Sequence, residues 1–389
     1  MAALTDSAAR AEAGAPLART DAGSPPAAAP ARKAPEPVPA PSLREFGPNW
    51  YAAVMGTSIL AGSGAGLRGR PGWLHALCTG VWMLALLVLA VVLAARAGHW
   101  LRHADRAREH LADHTVAPFY GCLPMALLSV GSSTLLLGPP VIGEHAAVVT
   151  DAALWTLGTV SGLVVAVGVP YLMATRHRIG PDDASPVWLL PIVAPMVAAA
   201  AGPALVAHLP ATAGQAREAL LLGCLALFGM SLLATTTMLP LVWGRLTRRE
   251  LPLAATPALL LVLGPLGQST TATGNIADAA RGVPHESYAT ALRAFSVLYG
   301  VPVMGFALLW LLLAAALLVR AVRRGMGYSM TWWAFTFPLG TCVTGATALS
   351  RHSGLDAATW LAAGLYVLLA AGWLAAATGT LRSFTRRAV

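Results

Sequence analysis

The sequence predicts an all-α integral membrane protein in which ten transmembrane helices form five quasi-repeated helical hairpins around a central pore. Three observations support this prediction: an apolar composition, ten apolar stretches of bilayer-spanning length, and an internal repeat of about seventy residues. Of the 389 residues, 56% are hydrophobic and 11% are charged, whereas about 25% of the residues in a soluble domain are charged. This composition excludes a water-soluble globule.

The first element is an N-terminal tail, residues 1–44, which is rich in Ala and Pro. Such a segment buries too little apolar surface to fold alone, and it lacks the unbroken apolar region of a secretory signal. We therefore expect a disordered cytoplasmic tail, with a regulatory docking segment as the alternative. A transmembrane domain over 45–384 and a short cytoplasmic tail over 385–389 follow it.

Ten apolar stretches follow the tail, and about 20 apolar residues cross a bilayer as a helix. An even number of spans places both termini on one side of the membrane. The loops after even-numbered spans contain 15 Arg residues and the opposite loops contain six, so the positive-inside rule places both termini in the cytoplasm, as expected for a plasma-membrane protein. The predicted spans are 48–66, 72–96, 117–140, 147–175, 187–208, 217–243, 253–275, 290–319, 330–350 and 357–380.

The odd-numbered spans share a repeat that becomes visible when they are superposed. Pro124, Pro195, Pro265 and Pro338 align at intervals of 70 to 73 residues, and Met55 takes the equivalent position in the first span. Each repeat contains two spans, so all five copies insert in the same orientation and are related by rotation about the membrane normal. We therefore expect the hairpins to close into a ring. Seven residues beyond each aligned position stands a small residue: Gly62, Gly131, Gly202, Ala272 and Gly345.

The two helices of each predicted hairpin differ in composition. Even-numbered spans contain aliphatic runs suited to lipid, such as 84–95, whereas odd-numbered spans are interrupted by Gly, Pro, Ser and Thr. A proline leaves a backbone carbonyl without its helical partner, and such backbone is tolerated at membrane depth only against protein or water. We therefore place the odd-numbered helices inside, around a central pathway. The alternative is that the small residues serve close helix packing alone.

The predicted pathway has an uncharged polar lining, because the odd-numbered spans contain no Asp, Glu, Lys or Arg before Arg351, at the very end of the ninth. Cation pathways commonly use carboxylate or carbonyl rings, so hydroxyl, amide and freed backbone groups favour an anion. The predicted pore-lining residues are Met55, Thr57, Ser58, Pro124, Pro195, Pro265, Gln268, Ser269, Pro338 and Thr341. Further polar candidates on these spans are Ser129, Ser132, Ser133, Thr134, Thr270, Thr271, Thr273, Asn275, Thr344 and Thr347.

Proton-coupled transport is the alternative to passive conduction. Proton routes are marked by ionisable residues within the bilayer, and here Asp151, His208 and Arg293 all lie close to predicted span ends. Channel-like conduction is therefore favoured. A membrane enzyme or sensor is disfavoured, because the spans contain no recognisable nucleophile or acid–base pair.

Other binding functions are not expected from this sequence. The net charge of +9 follows from membrane topology, so nucleic acid is not an expected partner. The four cysteines are far apart in apolar stretches and predict buried side chains rather than a metal or redox site. His99, His103, His110 and His114 have metal-compatible spacing, but the neighbouring arginines favour a solvated basic face. No cofactor or metal is expected.

Three segments resemble one transporter family. They are 47–57 (GPNWYAAVMGT), 264–269 (GPLGQS) and, most specifically, 332–341 (WWAFTFPLGT). On these residues the chain is similar to the tellurite-resistance/dicarboxylate transporter family, which includes tellurite-resistance proteins, malate permeases, sulfite exporters and slow-type anion channels. The resemblance extends over about 45–384.

The resemblance implies ten helices in five hairpins around an anion pore, often in a homotrimer. It also implies that a phenylalanine of the ninth helix occludes the pore, and this residue corresponds to Phe337. The substrate is expected to be a small anion, either a C4-dicarboxylate such as malate or an oxyanion such as sulfite or tellurite. The Pro- and Gly-rich seventh and ninth spans are closer to the malate and sulfite branch than to the bacterial tellurite-resistance channel.

Overall fold

The structure is a computed structural model that describes residues 43–180, 182–282 and 286–388. Over this part of the chain the regular elements are helices, and no β-strand is present. Residues 1–42 of the predicted disordered tail lie outside the described residues. The described chain begins with the short 3-10 helix Leu43–Glu45.

Ten helices of 13 residues or more are present in the described ranges, and they are numbered here in chain order. They alternate between short helices of 13 to 18 residues and long helices of 31 to 38 residues. Their bounds are α1 Tyr51–Ala65, α2 Gly72–Arg102, α3 Cys122–Leu137, α4 Glu144–Thr175, α5 Leu189–Ala201, α6 Gly214–Arg248, α7 Leu263–Ala279, α8 Glu286–Arg323, α9 Thr336–Ser353 and α10 Asp356–Ala388.

Each short helix is preceded directly by a 3-10 segment, which is a repeated feature that the sequence analysis missed. These segments are Pro48–Trp50, Ala117–Gly121, Pro186–Trp188, Leu253–Val262 and Met330–Phe335. The repeat prolines of α3, α7 and α9 stand at the third residue of their helices, where the backbone N–H has no acceptor within the α-helix. Pro195 alone among the four lies inside its helix. The prolines therefore mark mainly the junction between the 3-10 segment and the α-helix, rather than a break at mid-span.

The five short helices form a closed ring. Helix α1 packs against α3, α3 against α5, α5 against α7, α7 against α9, and α9 returns to α1. Each short helix also packs against the long helix that follows it in the chain. Five consecutive hairpins therefore surround a common axis, with their first helices inside, as the repeat predicts.

Burial separates the two sets of helices in the same way. The short helices are almost entirely buried within the protein, whereas the long helices expose large apolar side chains such as Leu298 (76% exposed) and Val367 (69% exposed). An apolar surface of this kind is suited to lipid.

Eight helices of the described chain are long and apolar enough to cross a membrane. The first and ninth predicted spans are not among them, since α1 has 15 residues and α9 is rich in Gly, Thr and Ser. The four cysteines are free and buried, as predicted.

The end of the bundle at which the long helices finish carries the arginine clusters. At that end, Arg249 pairs with Asp182 at 2.9 Å, and Glu250 pairs with Arg320 at 2.6 Å and Arg324 at 3.0 Å. The two neighbouring guanidinium groups, that of Arg324 first, lower the pKa of Glu250. The final helix continues to Ala388, so the predicted tail over 385–389 begins within α10.

Candidate functional site

A cavity of about 380 Å³ lies inside the helix ring, and all five short helices contribute to its wall. Each contributes one face. On α9, for example, Phe337, Thr344, Thr347 and Arg351 line the cavity, and this spacing places them on one side of a helix. From Phe337 to Arg351 the cavity follows about 21 Å of α9, and it extends toward the carboxyl ends of the short helices.

The wall of this cavity combines apolar side chains with hydroxyl and amide groups and carries no carboxylate. Its ionisable side chains are those of Arg351 and His208, both toward the carboxyl ends of the short helices. The buried Gln268 Oε1 and Ser63 Oγ have no hydrogen-bond partner in the described structure. The hydroxyl and amide residues of the wall are Ser63, Ser129, Ser132, Ser133, Gln268, Thr271, Asn275, Thr344 and Thr347.

Hydrogen bonds between helices fix part of this polar wall. The hydroxyl oxygens of Thr271 and Thr344 lie 2.7 Å apart and join α7 to α9. The amide of Asn275 donates to the backbone carbonyl of Ala200 at 2.8 Å. Because both contacts cross from one short helix to the next, they hold wall residues in register around the ring.

Asp278 lies beside the end of the cavity that the carboxyl ends of α7 and α9 form, and it accepts from Arg281 at 2.8 Å and from Arg351 at 3.3 Å. Arg351 also donates to the side-chain oxygen of Asn275 at 3.0 Å. The Nε2 atom of His352 lies 3.5 Å from Asp278. Two guanidinium groups around one carboxylate leave this mouth with positive charge, and Arg351 presents that charge to the cavity.

Phe337 lies at the opposite end of the cavity and is 2% exposed. A second cavity, of about 100 Å³, has Met55, Leu190 and Ala334 in its wall. In every repeat the residues of the second cavity precede those of the first along the chain. The two cavities therefore lie in series along the ring axis, and Phe337 stands at the inner end of the larger one.

Two of the ten predicted pore-lining residues are found in cavity walls: Gln268 in the larger cavity and Met55 in the smaller one. The other eight are buried in contacts between helices and are not part of either wall. Ser58 lies 3.0 Å from the Ser133 hydroxyl, and Thr57 accepts from the indole of Trp373 at 3.0 Å. The remaining six are Pro124, Pro195, Pro265, Ser269, Pro338 and Thr341.

Helix phase explains these different placements. Thr341 donates to the carbonyl of Leu263 at 3.3 Å, so it faces α7, whereas Thr344, three residues later, faces the cavity. Sequence identifies the polar spans but not which face of each helix is turned toward the axis. The Asp278 network was missed, and its one signal in the sequence was a cluster of charged residues at the ends of α7 and α9.

The three ionisable candidates of the sequence analysis are separated in the structure. His208 lines the cavity, and Arg293 is exposed on α8. Asp151 is buried on α4, 1% exposed, and neither of its carboxyl oxygens has a hydrogen-bond partner in the described structure.

Comparison with known proteins supports the family resemblance. The family model described as "voltage-dependent anion channel" matches residues 45–381. This range contains every helix of the ring.

Curated relatives match nearly the whole chain. A sulfite efflux pump of Arthroderma otae is 28% identical over 341 residues, which cover 86% of this chain and 89% of that protein. A sulfite efflux pump of Trichophyton rubrum is 28% identical over 319 residues, covering 80% and 83% of the two chains. An uncharacterized transporter of Methanocaldococcus jannaschii is 26% identical over 333 residues, covering 85% and 91%.

Proposed function

Because the chain belongs to the voltage-dependent anion channel family, we propose that it moves small oxyanions, sulfite first among them, through the central cavity past Phe337. Anion transport across a membrane is common to the family model and to the two sulfite efflux pumps. The substrate, the pathway and the gate are the parts proposed here.

The observation that carries the proposal is the chemistry of the cavity wall. It combines hydroxyl and amide groups with the guanidinium of Arg351, and none of its side chains is a carboxylate. Such a wall offers hydrogen-bond donors and positive potential to an anion, and it offers a cation no carboxylate. The same wall contains no constellation of nucleophile and base, which supports a transporter rather than an enzyme.

Phe337 is proposed as the gate. Its aromatic ring lies where the larger cavity ends and the smaller one begins, in a layer built from apolar and small side chains. An apolar constriction of this kind blocks ions by excluding water. Rotation of the Phe337 side chain would then connect the two cavities without rearrangement of the five inner helices.

Sulfite is the favoured substrate because two curated relatives are sulfite efflux pumps. A trigonal oxyanion can accept hydrogen bonds at all three oxygens, and the wall provides donors from several helices. A C4-dicarboxylate such as malate would fit a volume of about 380 Å³ as well, so transport measurements must compare the two.

Orientation and assembly are part of the same proposal. Arginines cluster where the long helices end, beside the smaller cavity, and the positive-inside rule supports that end as cytoplasmic. The larger cavity would then open to the outside of a plasma membrane, with both termini in the cytoplasm. We retain the homotrimer as the expected assembly.

The test is a flux panel with purified protein in liposomes. Sulfite, malate, succinate, tellurite, nitrate and chloride are each loaded, and their release is compared with that from protein-free liposomes. We expect sulfite flux well above the protein-free background. Release of none of these anions would refute the proposal. Release of malate without sulfite would identify malate rather than sulfite as the substrate and leave the proposed pathway unchanged.

A further inference from the structure

Asp151 stands seven residues beyond the start of α4 and is the most deeply buried acidic side chain of the described residues, 1% exposed. Both of its carboxyl oxygens are buried, and neither has a hydrogen-bond partner in this part of the chain. An ionisable side chain in this position within a membrane helix is costly in its charged form. The mechanism proposed above makes no use of it.

A glycine of the repeat makes room for this carboxyl group. Asp151 Oδ1 lies 2.6 Å from the point that a Cβ atom on Gly131 of α3 would occupy. Leu154 lies 3.1 Å from the same point. The carboxyl group is therefore packed directly on the backbone of α3, with aliphatic surface beside it.

No counter-ion faces Asp151 from the neighbouring elements that the structure describes. Helix α4 packs mainly on α3, α5, the short helix Pro139–Ile142 and the segment Ala117–Gly121. Those elements contain no Lys, Arg or His, and the two titratable residues of the first turn of α4 are exposed. Apart from Asp151 itself, the titratable side chains of α4 and of these elements are Tyr120, Cys122, Glu144, His145 and Tyr171.

A carboxylate here would have neither a cation nor a hydrogen-bond donor to stabilise it. We infer that Asp151 is a proton-binding site, occupied in the conformation described, and that its proton is linked to anion binding in the central cavity. The linkage to anion binding rests on the proposed anion transport, whereas the proton-binding site does not depend on it.

The linkage follows from the distance between Asp151 and the cavity. Gly131 belongs to the same helix as Leu128 and Ser132, which line the cavity, and an α-helix is about 10 Å across. At about 10 Å within a protein, repulsion between two negative charges corresponds to roughly tenfold in affinity. Proton binding and anion binding therefore strengthen one another. The affinity for the anion rises as the pH falls.

The test compares the wild-type protein with Asp151→Asn, which imitates the protonated carboxyl group. The half-saturating sulfite concentration is measured in liposomes at about pH 5.5 and about pH 8. Dividing each variant value by the wild-type value at the same pH removes the titration of sulfite itself. We expect Asp151→Asn to bind sulfite roughly tenfold more tightly than wild type at the higher pH, and equally at the lower pH. The matched control, Asp356→Asn, changes an exposed acid on α10 and should follow wild type.

Two results overturn the linkage. One is an Asp151→Asn protein whose half-saturating sulfite concentration equals that of wild type at both pH values. The other is a His208→Gln protein that gives the result expected for Asp151→Asn, because His208 also lines the cavity.

A second measurement tests the proton site without transport. Infrared spectra of the wild-type protein at neutral pH should contain the carbonyl stretch of a protonated carboxylic acid, and Asp151→Asn should lack that band. Its absence from wild type overturns the proton site whatever the flux assays give. If the band is present and no anion is carried, the proposed function fails and the proton site stands.

Discussion

The guanidinium of Arg351 donates to the side-chain oxygen of Asn275 at 3.0 Å, at the point where the last turns of α9 and α7 meet the wall of the central cavity. The same amide donates from its nitrogen to Ala200 of α5. One side chain thus connects three helices of the ring and orients the cation of the cavity wall. Asp278 balances part of that charge at 3.3 Å.

Substitution of Arg351 by Gln should weaken anion binding more than it slows turnover. Loss of a charged donor corresponds to roughly tenfold in the half-saturating sulfite concentration, with the maximal rate changed by about twofold or less. Flux from liposomes over a range of sulfite concentrations measures both quantities. Arg281→Gln is the matched control, since Arg281 also pairs with Asp278 but does not line the cavity. Equal effects of the two substitutions would contradict the assignment of Arg351 as the cation that binds the anion in the cavity.

Truncation of Phe337 to Ala should raise anion conductance, because it removes the aromatic ring from the inner end of the larger cavity. Single-channel recording in a planar bilayer with sulfite or nitrate as the permeant anion measures the effect. We expect more frequent or longer openings in the variant than in wild type. Phe306→Ala, on the exposed face of α8, should behave as wild type. A silent Phe337→Ala protein that purifies normally would argue against the gate.

Two glycines of α7 should respond oppositely to alanine. A Cβ at Gly267 would lie 2.5 Å from the backbone of Thr341 and Cys342, whereas one at Gly264 would meet no atom within 4 Å. Overpacking against backbone costs about 1–3 kcal/mol, so Gly267→Ala should lower the thermal midpoint of the detergent-solubilised protein. Gly264→Ala should leave it unchanged or raise it, because alanine favours helix by up to about 1 kcal/mol. Equal midpoints would mean that α7 and α9 can separate at low cost.

Glu250 should make thermal stability depend on pH at the arginine-rich end. The guanidinium groups of Arg324 and Arg320 lower its pKa below the usual value of 4.5. A carboxyl group whose pKa is lower in the folded protein stabilises it above the unfolded-state pKa, and this contribution is lost as the pH falls through the folded-state value. The midpoint of Glu250→Gln should therefore be slightly below wild type at neutral pH and converge with it below about pH 4. Because the carboxyl group is exposed, salt should reduce the difference.

A control for this effect is available at the opposite end of the bundle. Glu144→Gln changes an exposed glutamate in the first turn of α4, away from the arginine clusters. Its difference from wild type should not show the same convergence at low pH. Persistence of the Glu250→Gln difference below the folded-state pKa would mean that packing, rather than charge, is responsible.

The sequence by itself determined the membrane class, the five-fold repeat and the division into inner and outer helices. The lipid environment sets the composition, and the repeated packing sets the spacing of Pro and Gly. These features of the fold can therefore be predicted from the sequence. Polar residues of the wall such as Gln268 and Thr344 were found for the same reason, because uncharged polar groups are rare in apolar spans.

Only the tertiary structure decided which face of each inner helix is turned to the axis. Thr341 and Thr344 stand on one helix, yet one bonds to α7 and the other also lines the cavity. That difference depends on rotation of the helix about its own axis, which packing against two neighbours in the ring fixes. The burial of Asp151 against Gly131 is of the same kind: it arises where two helices meet, and no local pattern in either one specifies it.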